Sequence, residues 1–127
     1  MLAKVNYRIH TDAIKKHLVP KKISSKISSH IYADEADILN IALFGLSAKE
    51  WRDKNKGKEG NMRDYAAVEQ LVVLVNLESF NAQYIIEGIS QSDRLTKLNE
   101  IAITQMTALI NSPSIKKLDK TLQLQSE

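Results

Sequence analysis

Three histidines and a scatter of carboxylates are the residues of this 127-residue chain whose types most invite a chemical reading. His10, Asp12 and His17 stand close together, and imidazole nitrogen with carboxylate oxygen is a common ligand set for zinc. Their spacing argues against a site. A helix sends positions 10 and 12 in widely separated directions, and no two histidines stand at i, i+4. Surface histidines are therefore expected, with no metal and no cofactor.

Asp34, Glu35, Asp37, Glu69 and Glu78 form a second candidate set, with Arg52 and Arg63 available to face them. Two carboxylates in a cleft are a usual general acid/base pair. Helix capping and solvation account for most of these acids. Glu78 and Asn81 are harder to dismiss, since they flank Leu77 and Phe80 in an apolar pattern. A buried carboxylate needs a cation or amide donors, so an arginine or backbone partner is expected there. Nucleophile, oxyanion donors and cofactor motif are all missing from the pattern, so the chain is not expected to be an enzyme. GKEG lacks the further glycines and the Lys-Ser/Thr of a phosphate loop.

Nucleic-acid chemistry is the remaining class. Trp51, Tyr65, Tyr84 and Tyr32 could stack bases, but aromatics make up only 6% of the chain and each lies in an apolar pattern, which favours packing. GLSAKEWRD has the turn glycine of a helix-turn-helix, yet Glu50 and Asp53 would face phosphates. The charge distribution is more telling. Residues 1–30 hold seven Lys/Arg and one acid, whereas residues 31–127 hold eleven Lys/Arg and fourteen acids. Lys15, Lys16, Lys21, Lys22 and Lys26 could lie along phosphates, giving salt-dependent affinity without reading sequence. A solvated linker explains the same lysines.

These residues must be carried by helices. Leu2, Val5, Ile9 and Ala13 recur at spacings of three and four, the stripe of an amphipathic helix that Pro20 would end. Cut free of neighbours, that stripe (Leu2, Val5, Ile9) is a candidate for self-association. Residues 20–30, PKKISSKISSH, read as a mobile basic linker. A helix is expected over residues 32–44, with Asp34, Glu35 and Asp37 opposing the positive end of its dipole. Ala36, Leu39, Leu43 and Leu46 would face the core, widened by Ile38, Ala42 and Phe44. Gly45 would cap its end, and Ser47 with Glu50 would open a short helix carrying Trp51.

Residues 65–87 contain neither Gly nor Pro and carry Val68, Leu71, Val72, Leu74, Val75, Leu77 and Phe80. An apolar set covering more than one face predicts a helix surrounded by others, with Asn61 or Asp64 as its cap. LVVLV alone would also suit a buried strand, but length favours helix. Gly88 stops it, Ser90 with Asp93 opens the next, and Leu95, Leu98, Ala102, Met106 and Leu109 repeat through residue 111. Residues 112–127 are expected as a short helix from Pro113 and a frayed tail. The architecture expected is an all-α bundle of about five main helices around a long central one, with an N-terminal helix over residues 1–19, the linker 20–30 and a core over 31–111.

Zero cysteines exclude disulfides and fit a reducing cytoplasm. Uncharged apolar runs such as residues 71–77 fall far short of the roughly 20 residues of a membrane span, so no membrane partner is expected.

Four stretches together carry a family resemblance: NYRIHTDAIKKHL, IYADEADILNIALFGLSAKEW, GNMRDYAAVEQLVVLVNLES and GISQSDRLTKLNEIAITQM. They resemble the C-terminal helical region of bacterial and phage KilA-N domain proteins. Members carry an upstream KilA-N module associated with DNA binding, which has no counterpart here. The resemblance implies that the first helix continues upstream, so that Met1 marks either a cut within a longer protein or the start of a shortened natural gene. It also implies a C-terminal accessory domain that oligomerises or recruits a phage or host protein, with DNA held mainly by the missing module. The basic arm would then add direct nonspecific DNA contact as the alternative role.

Overall fold

The computed structural model describes residues 15–111 and Thr121. A 3-10 turn at Lys16–Leu18 leads to α1 (Ser25–Ser28), α2 (Glu35–Phe44) and α3 (Ala48–Lys54). A second 3-10 turn at Met62–Tyr65 precedes the long α4 (Val68–Ile86) and α5 (Gln91–Ile110). The architecture is an all-α bundle, with no strand among the described residues. No helix among them is long and apolar enough to cross a membrane. Leu2, Val5, Ile9, His10 and Asp12 lie outside the described residues, as does the 112–127 tail apart from Thr121.

Local chemistry sets the helix boundaries. The Asp34 carboxylate accepts from the Asp37 amide at 2.8 Å, so Asp34 caps α2 and stands just before it. Gly45 ends α2 in the left-handed region at φ 77°, where a residue with a Cβ would be strained. Ser47 and Glu50 form the reciprocal capping box of α3, each bonding the other's amide at 3.1 Å. Asn61 and Asp64 make a similar pair, but on the 3-10 turn. α4 therefore starts later than residue 65, after extended Ala66 and Ala67, with Gln70 Oε1 accepting from the Ala67 amide at 2.9 Å. Gly88 at φ 76° turns the chain between α4 and α5, and Ser90 caps α5.

α5 is the hub: it packs against α1, α2, α4 and the first 3-10 turn. Leu95, Leu98, Ala102, Met106 and Ile110 form its buried stripe. Against it lie Ile38, Leu39, Ala42 and Leu43 of α2, and Val73, Leu74 and Leu77 of α4. Each fully buried leucine removes from water apolar area worth about 1.5–3 kcal/mol. Two expectations are corrected. On α2, Leu39 and Leu43 are buried together with Ile38 and Ala42, but Ala36 is exposed and Leu46, past the helix end, only half-buried. α4 is not surrounded: Leu71 is half-buried, while Val75 and Phe80 are exposed.

Residues 20–30 are docked, contrary to the reading of a mobile linker. Leu18, Val19 and Ile23 pack against the core, and the Ser28 hydroxyl, 2% exposed, meets the Thr96 hydroxyl at 3.0 Å. The fully buried Asn99 of α5 completes the attachment. Its Nδ2 donates to the Lys21 carbonyl at 3.0 Å and the Ala42 carbonyl at 3.1 Å, and its Oδ1 accepts from the Ile23 amide at 2.8 Å. Periodicity misses this because a sparse apolar set and one remote amide hold the segment.

Candidate interaction surfaces

The carboxylates divide among three places. Glu35, Glu78 and Asn81 line one cleft of about 320 Å³ with Arg63 and Ile85, between α2 and α4. Arg94, reaching from α5, fills the polar side of this junction. Its Nη1 donates to Glu35 Oε1 and to Asn81 Oδ1, the latter at 2.9 Å. Its Nη2 donates to Glu35 Oε2 at 3.1 Å, and its Nε to the Ile89 carbonyl at 3.0 Å. Asn81 Nδ2 and Gln91 Nε2 donate to the same carboxylate at 3.2 and 3.3 Å.

The Glu35 carboxyl is accordingly held down to about 2, first by its hydrogen bonds from Arg94 and then by those from Asn81 and Gln91, against an opposing effect of burial. A carboxylate so committed is a permanent anion at neutral pH and a weak base. The geometry is that of a clasp joining α2, α4 and α5. Glu78 was the acid singled out as needing a partner, and it is half-exposed with Arg63 Nη1 at 3.6 Å. Asn81, expected beside it, is buried on Arg94 instead. Asp37 ties α2 to the start of α3 by accepting from the Ala48 amide at 2.8 Å, and Asp34 caps α2.

The buried acid is Glu69, 1% exposed, with Lys15 Nζ at 3.1 Å from Oε2. Lys15 is itself 4% exposed. This corrects its assignment as a phosphate-contacting lysine: desolvated against Glu69, its ammonium is committed to the interior. A signal existed in the sequence. Glu69, Val73, Leu77 and Asn81 recur at intervals of four, so the buried stripe of α4 is apolar in its middle and polar at both ends.

The other lysines of the set remain outside. Lys16, Lys21, Lys22 and Lys26 are exposed, and none makes an ion pair among the described residues. His17 is exposed beside them. Three of these lysines edge a groove of about 720 Å³. Its walls are apolar: Val19, Pro20 and Ile23 come from the docked segment, Ile27 from α1, and Ile41 and Phe44 from α2. Among the described residues no aspartate or glutamate lines it. A lysine-edged apolar groove is legible only when segment 16–23 is placed against α2.

A third surface runs along the outside of α4. Val68, Val72, Val75, Ser79, Ala82 and Ile86 follow one another at alternating steps of four and three, the spacing that keeps a seam on one side of a helix. Val75 is 63% and Ile86 78% exposed, and Ile85 beside them is 48% exposed. The stripe spans roughly 27 Å at the helical rise.

The aromatics go three ways. Trp51 is buried against Tyr65, with ring centroids 5.4 Å apart, and the Tyr65 hydroxyl donates to the Glu59 carbonyl at 2.7 Å. Tyr84 meets Phe80 at 6.3 Å. Tyr32 is 92% exposed, away from the core where packing would place it. α3 leaves Lys49, Glu50, Arg52, Asp53 and Lys54 exposed, a mixed-charge surface that suits solvent better than a phosphate backbone. Among the described residues no group of three or more His, Cys, Asp or Glu side chains could hold a metal ion. Comparisons with family models, with curated proteins and with solved structures find no match to this chain.

Proposed function

We propose that this domain is a non-enzymatic oligomerisation and interaction module, acting in the cytoplasm as the C-terminal accessory part of a KilA-N type DNA-binding protein. The observation that carries this reading is the outer stripe of α4, half-buried at Val68 and Val72 and exposed from Val75 to Ile86, with Ser79 as its one polar member. Its occupant is a second copy of the chain.

The stripe is symmetric about its own midpoint, so an antiparallel twofold pairing of α4 with α4 sets Val68 against Ile86, Val72 against Ala82 and Val75 against Ser79. Each layer then sets one β-branched valine against Ile86, Ala82 or Ser79, and the twofold repeats each layer once on either side of the centre. Such self-complementarity is what an isologous interface requires. The seam holds no charge, and Glu78 at its flank has Arg63 at 3.6 Å as counter-ion. Paired domains would hold two upstream DNA-binding modules at one site and raise their effective concentration on DNA.

Sedimentation equilibrium over a concentration series tests this. The expected result is a reversible dimer that becomes a monomer in the Val75→Glu, Ile86→Glu double variant, with helical circular dichroism unchanged. A wild-type chain that stays monomeric throughout refutes the reading. The second reading, nonspecific DNA contact through the basic arm, is favoured by the exposed, unpaired Lys16, Lys21, Lys22 and Lys26 and loses Lys15. Anisotropy titration onto mixed-sequence duplex at several salt concentrations decides it: saturable, steeply salt-dependent binding supports it and no binding at low salt removes it.

A further inference from the structure

The lysine-edged groove is a different surface, on the side of the molecule where segment 16–23 meets α1 and α2. We infer that it receives an acidic amphipathic segment of a partner protein. Two observations converge on that occupant. The walls are mostly hydrocarbon around an open space of about 720 Å³, within the roughly 300–1,000 Å³ typical of ligand clefts. Ile27, at 55% exposure, stands at the edge of that space with its side chain open to a visitor.

The second observation is charge. Lys16, Lys21 and Lys22 stand around the apolar walls, and among the described residues no acid lines the groove to offset them. An incoming helix or turn with isoleucine or leucine on one face and glutamate or aspartate beside it would satisfy both properties at once. Duplex DNA satisfies only one: its phosphates would meet the lysines and leave Ile27, Ile41 and Phe44 with nothing to cover them. Complementary charge steers the encounter and sets its salt dependence, while the apolar contacts hold the complex.

The groove is already built in the free chain. Asn99 clamps the Lys21 carbonyl and the Ile23 amide to α5, so the lysines are presented from a backbone whose ordering has been completed during folding. A visitor therefore meets a preorganised wall, which lowers the entropic cost of association.

The test is a fluorescence-anisotropy titration of the full chain with a fluorescein-labelled designed peptide of about 16 residues, four helical turns, bearing Leu at i, i+3, i+4 and i+7 and Glu elsewhere. Two companions complete it: the same peptide with Lys for every Glu, and a mixed-sequence duplex. The expected result is saturable binding of the acidic peptide, at least tenfold weaker for the lysine peptide. Ile27→Asp and the Lys21→Glu, Lys22→Glu pair should each weaken it tenfold or more with unchanged helical content. Three outcomes overturn the inference: no binding of the acidic peptide at low salt, equal binding of both peptides, or duplex binding that needs the lysines while Ile27→Asp changes nothing. The last would make this edge a nucleic-acid surface.

Discussion

Replacing Asn99 by Ala should unpin the docked N-terminal segment. Asn99 is fully buried and makes three hydrogen bonds, all to backbone: the carbonyls of Lys21 and Ala42 and the amide of Ile23. The Ala42 carbonyl lies in the last turn of α2, where helix geometry leaves carbonyls without intrahelical donors. At about 1 kcal/mol net for each bond, the substitution costs about 3 kcal/mol, and more where a stranded group stays buried. For a domain of this size each kcal/mol lowers the melting temperature by about 4–8 °C. The distinctive readout is amide hydrogen exchange at Ile23, because a loss of about 3 kcal/mol confined to this attachment accelerates exchange roughly 100-fold. Ile38 and Leu98, deep in the bundle, should exchange faster only by the global loss. If the Ile23 amide exchanges at the rate of an unstructured chain in the wild type, or if Asn99→Ala leaves it protected, segment 20–30 is not held as described.

The remaining predictions concern the clasp and the core. The Glu35 carboxyl titrates at about 2 in the folded chain against 4.5 as an ordinary value. Its folded value is depressed, so its stabilisation is complete above about pH 5 and is lost as pH falls toward 2. Because the side chain is about half-exposed, solvent screening reduces that contribution to about 1 kcal/mol. Urea unfolding of wild type and Glu35→Gln should differ by about that amount near neutral pH and converge toward pH 2; a gap that does not depend on pH would contradict the assignment. Leu77→Ala, at a position with no exposure where α4 meets the core, should cost about 2–5 kcal/mol by thermal denaturation. A loss below about 1 kcal/mol would mean that α4 does not pack as described.

Much of the bundle was legible in order. The caps at Gly45, Ser47 and Ser90 and the buried spacing of Leu95, Leu98, Ala102 and Met106 are local or periodic properties, carried by residues within a few positions of one another. Such signals survive in one dimension because the helix repeat converts spacing directly into facing. The charge asymmetry was legible because it is a composition counted directly along the chain.

Tertiary structure decided which side of each helix meets a neighbour and which charge meets which. The apolar breadth of α4 was equally compatible with a surrounded helix and with one that keeps an apolar outer stripe; only the placement of α2 and α5 leaves Val75 and Ile86 exposed. Lys15 reads as one more lysine of a basic arm until Glu69, fifty-four positions later, is folded onto it. Asn99 is an unremarkable polar residue in an amphipathic helix until the carbonyls of Lys21 and Ala42 converge on its amide. Sequence fixes which hydrogen-bonding and charged groups exist and which helices carry them. Which of those groups lose their water, and must therefore find one another, is set by packing across the whole chain.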